Sequence, residues 1–481
     1  MSVFIGRENE LGQLKSLSKK RSSSLVVIRG RRRVGKSRLV RELAHQLGMT
    51  LYAFSGLPPE PELDPSTMEA LQRSEFSNTL QRYFQGEKQH EDWSDVFNDL
   101  AKHTAKGKVL ILLDEITWMA QGATAFLGKL KNAWDHEFSN NPQLILVLCG
   151  SVSTWIKTNI INSTGFYGRI SLKFNLKPLP LYACKAFWGA QSSLISAREK
   201  LKILAVTGGI PKYLEEINPQ LTAEENIKNL CFMESGILFN DFYHIFSSML
   251  EKKSDYYRKI VMILSTSKVE QTELLNKLGV ENSSNVSEYI EELVDAGFIE
   301  RHYTWNIKQD KPSKLSQYRL SDNYIRFYLK YIYPNSQKVS DQTFHFKSLY
   351  SLPGWPSIIA LQVENLVINN RNEIIQNIGL LADDIIHAGP YFQRATKSTS
   401  GCQIDLLIQT RVNVLYVCEI KFSKNTLRED VVEEVKNKID ALVVPKGFSV
   451  CPVLIHASEV HDKLLEKNYF THIVDLSELM T

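Results

Sequence analysis

Gly30-Arg31-Arg32-Arg33-Val34-Gly35-Lys36-Ser37 fits the pattern G-x-x-x-x-G-K-[ST], and its flanks decide how it is read. Before it, Ser24-Leu25-Val26-Val27-Ile28-Arg29 reads as a buried strand. After it, from Ser37 to Leu47, the apolar residues Leu39, Val40, Leu43 and Leu47 recur at helical spacing. A strand feeding such a loop into a helix makes a phosphate cradle. The loop N–H groups converge, and the helix N-terminus adds the positive end of its dipole. The octet, with Arg38 behind it, is therefore expected to hold ATP or GTP. Lys36 would reach the β- and γ-phosphates, and Ser37 would ligate Mg²⁺.

A second element of the same site lies downstream. Lys108-Val109-Leu110-Ile111-Leu112-Leu113-Asp114-Glu115 is an apolar run ending in two acids. Apolar character on both faces suits a central strand of a parallel sheet covered by helices. Asp114 is expected to hold Mg²⁺ through water, and Glu115 to polarise the attacking water. A strand capped by two solvated acids is the competing reading, and the loop at Gly30 argues against it. A third strand, Leu144 to Cys149, ends at Gly150-Ser151. Ser151 would sense the γ-phosphate or position water; a plain strand-to-loop serine fits equally well. In Gly165-Phe166-Tyr167-Gly168-Arg169-Ile170, Arg169 would act as a finger toward a neighbouring subunit's nucleotide, which implies a homo-oligomer. Its alternative is an acid within its own domain.

Composition bounds the rest. A chain of 481 residues usually holds two to four domains. Lys plus Arg is 57 and Asp plus Glu is 53, a net +4 that neither demands nor excludes nucleic acid. Cys149, Cys184, Cys231, Cys402, Cys418 and Cys451 form no C-x-x-C pair. They read as reduced thiols of a cytoplasmic protein rather than a disulfide frame or zinc site. Met1 to Glu10 is polar and charged, so no signal peptide is expected. No apolar run approaches the roughly 18 residues of a membrane span.

Residues Leu181 to Phe246 read as helices punctuated by Pro178, Pro180, Gly208, Gly209 and Pro211. From Tyr256 the pattern shortens. Helices are expected around Ile260–Leu264, Glu273–Leu278 and Asn285–Ala296, then two strands at Phe298–Arg301 and Tyr318–Leu320, which is a winged-helix pattern. Its third helix carries Glu288, Glu291, Glu292 and Asp295 with no Arg or Lys, poor for phosphate contact. An internal clamp on the nucleotide domain is preferred to a DNA-reading helix, although Lys308, Lys311 and Lys314 sit in the intervening loop.

Late in the chain, Ile404-Asp405-Leu406-Leu407-Ile408 and Leu415-Tyr416-Val417-Cys418-Glu419-Ile420-Lys421 read as strands. Alternation puts Glu419 and Lys421 on one side. If Asp405 shares that side, two carboxylates and an ammonium meet. Upstream, a helix over Ile358–Asn369 carries Glu364.

The first half of the chain resembles the STAND branch of AAA+-related prokaryotic P-loop ATPases. Phe4-Ile5-Gly6-Arg7-Glu8 looks like the entry motif of that family, and Gly209-Ile210-Pro211 like its G-x-P motif; both would lie near the adenine. The resemblance implies ATP over GTP, Pro211 as a nucleotide-contacting residue, and an NTPase used as a switch. The last hundred and thirty or so residues resemble the PD-(D/E)xK nuclease superfamily. Glu364 falls on its helical acid, Asp405 on its metal-binding aspartate, and Glu419-Ile420-Lys421 on its (D/E)-x-K. The usual proline before the aspartate is absent, with Gln403 and Ile404 there instead. The resemblance implies Mg²⁺ on Glu364, Asp405 and Glu419, with Lys421 assisting attack on a phosphodiester of DNA.

The expected architecture is α/β. It has a P-loop NTPase parallel sheet (1–180), a helical lid (181–250), a winged-helix domain (251–335) and a C-terminal restriction-endonuclease-like domain (345–481). The expected function is an ATP-controlled, metal-dependent nuclease. Its rival is a regulatory ATPase switch whose C-terminal domain binds nucleic acid or protein without cutting.

Overall fold

The computed structural model describes residues 4–60, 62–85, 90–151, 153–247, 254–280, 284–397 and 399–480. The chain divides into two compact units. The first is Met1–Leu179 with Tyr243–Ser254 and Glu291–Gly297; the second is Pro180–Phe242, Asp255–Ile290 and Phe298–Thr481.

In the first unit, β1 (Ser24–Arg29), β2 (Thr50–Ser55), β3 (Val109–Asp114), β4 (Leu144–Gly150) and β5 (Ile170–Asn175) form one parallel sheet, ordered β2-β3-β4-β1-β5. β1, β3 and β4 are buried along almost their whole length, which explains their unbroken apolar runs. Helices Pro65–Phe84 and Trp93–His103 pack Phe76, Trp93 and Phe97 against Phe54 of β2. The first of these starts where Asp64 accepts from the backbone N–H of Ser66 and Thr67, with Pro65 at its first position. Because β4 lies between β1 and β3, the carboxyl ends of all three strands come together on one edge. That edge presents the phosphate loop, Ser151 and the Asp114-Glu115 pair.

The second unit begins with short helices, among them Ala197–Thr207, Pro211–Leu214 and Ala223–Cys231. Thr222 and Glu225 close the last of these with a capping box. There follow β6 (Val269–Glu270), helix Gln271–Leu278, β7 (Ile299–Asn306) and β8 (Lys311–Leu320), with an antiparallel sheet ordered β6-β8-β7. Helix Ser284–Asp295 precedes β7. The two expected strands are thus longer than their apolar residues suggested, and β6 joins them.

The C-terminal stretch runs helix Trp355–Asn369, β9 (Ile385–Gln393), β10 (Cys402–Thr410), β11 (Val414–Lys421), helix Asp430–Ala441, β12 (Ser449–His456) and β13 (His472–Asp475). Its sheet is ordered β13-β12-β11-β10-β9; the first three strands in sequence are antiparallel, and β12 and β13 continue in parallel from β11. The β7–β8 hairpin is fastened to this sheet. The Trp305 indole N–H donates to Gln409 Oε1 at 2.7 Å, and Gln409 Nε2 donates to the Ile307 carbonyl at 2.9 Å. Trp305 and Ile307 also share an apolar cluster with Tyr391, Ile404, Leu407 and Leu415. The hairpin's apolar side is thus seated on the C-terminal sheet.

All six cysteines are free thiols. Among the described residues, no helix is long and apolar enough to cross a membrane.

Candidate functional site

The phosphate loop owes its shape to two glycines and an arginine. At Gly30 (φ 145°) a Cβ would stand 2.4 Å from the Leu176 carbonyl oxygen. Gly35 opens helix Lys36–Leu47 in the left-handed region at φ 93°. Arg7, itself buried, donates to the carbonyls of Val34 at 3.1 Å and Lys177 at 2.5 Å, and pairs with Glu10. The entry motif thus braces the loop from beneath. That role was not evident in the sequence, because the partners are backbone carbonyls.

Lys36 is buried and donates to the carbonyls of Gly30 (2.9 Å) and Arg31 (3.1 Å). Burial pushes its ammonium below the ordinary lysine range, while the charges of Glu115 and Asp114 counteract this. Ser37 Oγ donates to Asp114 Oδ2 at 2.5 Å, so the two expected Mg²⁺ ligands are already in contact. Glu115, in the left-handed region at φ 49°, accepts from Ser151 through both its backbone N–H (3.2 Å) and its hydroxyl (2.9 Å). Arg31 is buried. The Arg32 guanidinium lies 5.4 Å over the Trp118 ring and donates to the His244 carbonyl at 2.8 Å. Arg33 takes φ 68°, and Arg38 lies within helix Lys36–Leu47. Arg29, just before the loop, faces Asp295 at 3.6 Å, and Lys157 pairs with the same acid at 3.0 Å.

Arg169 forms a two-point pair with Asp135, at 2.6 and 2.8 Å, so it takes up the alternative of an acid in its own domain. Pro211 opens a four-residue helix in the second unit.

In the second unit, Leu406 pairs with Cys418 across β10 and β11, which sets Asp405 beside Glu419. The Ile420 N–H donates to Asp405 Oδ2 at 3.2 Å. Lys421 Nζ lies 3.0 Å from Glu419 Oε1 and 2.5 Å from Glu434 Oε2. Burial first, then the charges of Glu419 and Glu364, raise the Asp405 carboxyl to about 6. Glu364 lies on helix Trp355–Asn369, and Lys268 holds it at 2.7 Å.

Lys268, Glu434 and Lys438 of this cluster were missed in the sequence. Lys438, on helix Asp430–Ala441, reaches Glu419 at 2.5 Å and Asp405 at 3.9 Å. Its signal was the spacing: Glu434 and Lys438 are one helical turn apart, flanking the buried Val431 and Val435. Among the described residues, no three His, Cys, Asp or Glu side chains gather at metal-ligating spacing. Asp405 and Glu419 remain a pair of oxygen donors, and one or two carboxylates are what Mg²⁺ usually takes from a protein. The donor chemistry therefore fits, with Glu364 lining the same cavity as Asp405 and paired to Lys268.

This loop, acid and sheet order define a P-loop ATPase-type domain. Residues 4–217 match the family described as an ATPase domain predominantly from Archaea. The match covers nearly all of the first unit's Met1–Leu179 segment, enters the second unit and stops well short of the C-terminal sheet. An uncharacterised protein of Methanocaldococcus jannaschii is 24% identical over 350 residues, covering 72% of this chain and 73% of that protein. The Walker-type ATPase of Pyrococcus abyssi superposes with a TM-score of 0.46 at 16% identity, over 68% of this chain and 96% of the other. The ORC2 protein of Aeropyrum pernix gives 0.45 at 13% identity, over 71% and 97%.

Proposed function

We propose that the chain is an ATP-hydrolysing switch that controls a metal-dependent nuclease site acting on DNA. The observation that carries the second half is the meeting of Asp405 and Glu419 on neighbouring strands with Lys421 and Lys438 against them. The order helix, three antiparallel strands, helix and parallel strand supports the PD-(D/E)xK reading. Helix, short strand, two helices and a β-hairpin support the winged-helix reading.

At the first site, Lys36 would release its two loop carbonyls and turn to the β- and γ-phosphates. Ser37 and Asp114 would hold Mg²⁺, and Glu115 would orient the attacking water while Ser151 fixes its carboxylate. Arg169 can serve as a finger for a neighbouring subunit only by leaving Asp135. Pro211 is proposed to contact the nucleotide, as the G-x-P resemblance implies.

At the second site, Asp405 and Glu419 would hold the cation, which when bound lowers the pKa of its water and offsets charge on the phosphodiester. Lys421, kept charged by Glu434 and Glu419, would orient the attacking water. Plasmid nicking in Mg²⁺ and in Mn²⁺, with and without ATP, tests the reading. Metal-dependent nicking lost on Asp405→Ala supports it; a wild type that never nicks under any of these conditions opposes it.

The rival switch without cleavage draws on one observation. Each acid already has a lysine partner, as an ion-paired scaffold would. A wild type that binds DNA tightly yet leaves it intact in both metals favours that reading.

A further inference from the structure

The cavity beside Asp405 carries charges that the proposed cleavage leaves unused. It measures about 540 Å³ and is lined only by residues of the second unit. Its walls carry three cations, Lys268, Arg326 and Lys438, against two acids, Glu364 and Asp405. Glu419, which pairs with Lys438, brings the acids beside the cavity to three, and a divalent ion on those acids would leave the cations in excess.

Lys438 and Lys268 have acid partners, as described above. Arg326 differs. Its side chain is 2% exposed, and one terminal nitrogen donates to the Leu320 carbonyl at 2.7 Å. The other two nitrogens, Nε and Nη1, are buried and have no hydrogen-bond partner. A buried guanidinium with two unmet donors is costly, and most buried polar groups avoid that state. Nε and Nη1 lie on different edges of the guanidinium, so each offers one charge-assisted N–H, and a single phosphate oxygen can meet either of them. Thr266, Ser267 and Gln317 line the same cavity and supply neutral donors around such a group.

We infer that this cavity receives a phosphate group, with Arg326 as its anchor and Lys268 beside it. The inference rests on the cavity's cations and holds whether or not Asp405 and Glu419 support cleavage. Two sources share this chemistry: a nucleic-acid strand, and a free anion such as inorganic phosphate or a nucleoside monophosphate.

Isothermal titration in EDTA separates them. The full chain carries Lys36→Ala, which removes the phosphate affinity of the P-loop, and EDTA prevents cleavage. The titrants are inorganic phosphate, a nucleoside monophosphate, and one short single-stranded oligonucleotide with and without a terminal phosphate. Saturable binding of at least one phosphate-bearing titrant is expected. It should weaken about tenfold or more with Arg326→Gln, the loss of a charge-assisted hydrogen-bonding partner, and measurably with Lys268→Gln. Tightest binding by an oligonucleotide assigns the strand, and tightest binding by the small anions assigns the free group. If Arg326→Gln fails to fold by circular dichroism, Lys268→Gln carries the test alone, because that side chain is 18% exposed. The inference is overturned if no phosphate-bearing titrant binds. It is also overturned if the folded variants bind as tightly as their parent.

Discussion

The phosphate loop and the carboxylate cluster solve opposite electrostatic problems. At the loop, one buried ammonium, Lys36, is held by backbone carbonyls, and the acids Asp114 and Glu115 are held by Ser37 and Ser151. Every one of those contacts is short, and the lysine partners lie within six residues. At the cluster, the acids are held by lysines: Glu364 by Lys268, and Glu419 by Lys421 of its own strand and Lys438 of the following helix. Neutral partners leave the first site's charges available to a ligand. Charged partners make the second site one in which any incoming cation competes with a lysine. Loss of a single side chain should therefore hurt the first site through the ligand and the second through its own balance of charge.

The largest effect should come from Lys36→Ala, which removes the buried ammonium of the phosphate loop. ATP turnover should fall by at least about 100-fold, judged by what one lost electrostatic donor costs an enzyme. DNA cleavage without ATP should persist. Equal turnover in this variant would break the comparison at its first term. Glu115→Gln should follow, with ATP binding retained and hydrolysis slowed by about 100-fold, since the Ser37–Asp114 contact survives and only the water's orienting base is lost. Nucleotide binding and phosphate release, measured separately, distinguish the two variants.

Trp305→Ala sharpens the comparison from the side of stability. Removing this buried ring should cost roughly 3–5 kcal/mol in the second unit. It also leaves Gln409 without its indole donor. Denaturant unfolding followed in the two units should show loss confined to the second, with ATP binding intact. Simultaneous loss of both would show that the nucleotide site depends on the hairpin's seat.

A smaller effect concerns pH. The Asp405 carboxyl, raised to about 6, is protonated more readily in the folded chain than an ordinary aspartate. Burying its charge opposes folding above pH 6, and that penalty lifts as pH falls from about 6 toward 4. For metal the sign reverses. Mn²⁺ affinity at the second site should drop as pH falls through 6, because the proton and the cation compete for one carboxylate. Asp405→Asn should abolish this dependence while leaving nucleotide binding alone. A Mn²⁺ titration with the same slope in wild type and variant would place the dependence elsewhere.

Arg169→Ala is expected to do least. Its pair with Asp135 is partly exposed, and such pairs are worth little. Mixing it with Lys36→Ala protein tests the finger role. Recovered ATPase in the mixture supports a trans contact, and two folded, associating variants without recovery oppose it.

The nucleotide site was legible because its parts are contiguous. One octet and one acid-capped strand define it, and burial of β1 and β3 on both faces writes itself as unbroken apolar runs. The edge strands β2 and β5 were not legible, since their partly exposed residues mix polar and apolar types. At the second site Asp405, Glu419 and Lys421 could be read from strand alternation. Lys438 left only its helical spacing from Glu434, and whether that face meets the acids depends on how one helix lies across a sheet. Arg7 named a motif but not its contact, since Val34 and Lys177 meet it only through backbone oxygens. The hairpin's seat was unreadable for a similar reason: Trp305 and Gln409 are more than a hundred residues apart, and a lone buried glutamine leaves no periodic trace.

The central claim is that the second site cuts and the first controls it without sharing its chemistry. Its most direct test is cleavage of linear and plasmid DNA by wild type and Asp405→Ala in Mg²⁺ and Mn²⁺, with ATP turnover measured on the same samples. The account predicts metal-dependent cleavage by wild type, cleavage reduced by at least about 100-fold in the variant, and unchanged ATP turnover in both. A variant that cleaves as well as wild type, or a wild type that hydrolyses ATP and cleaves nothing in either metal, would contradict it.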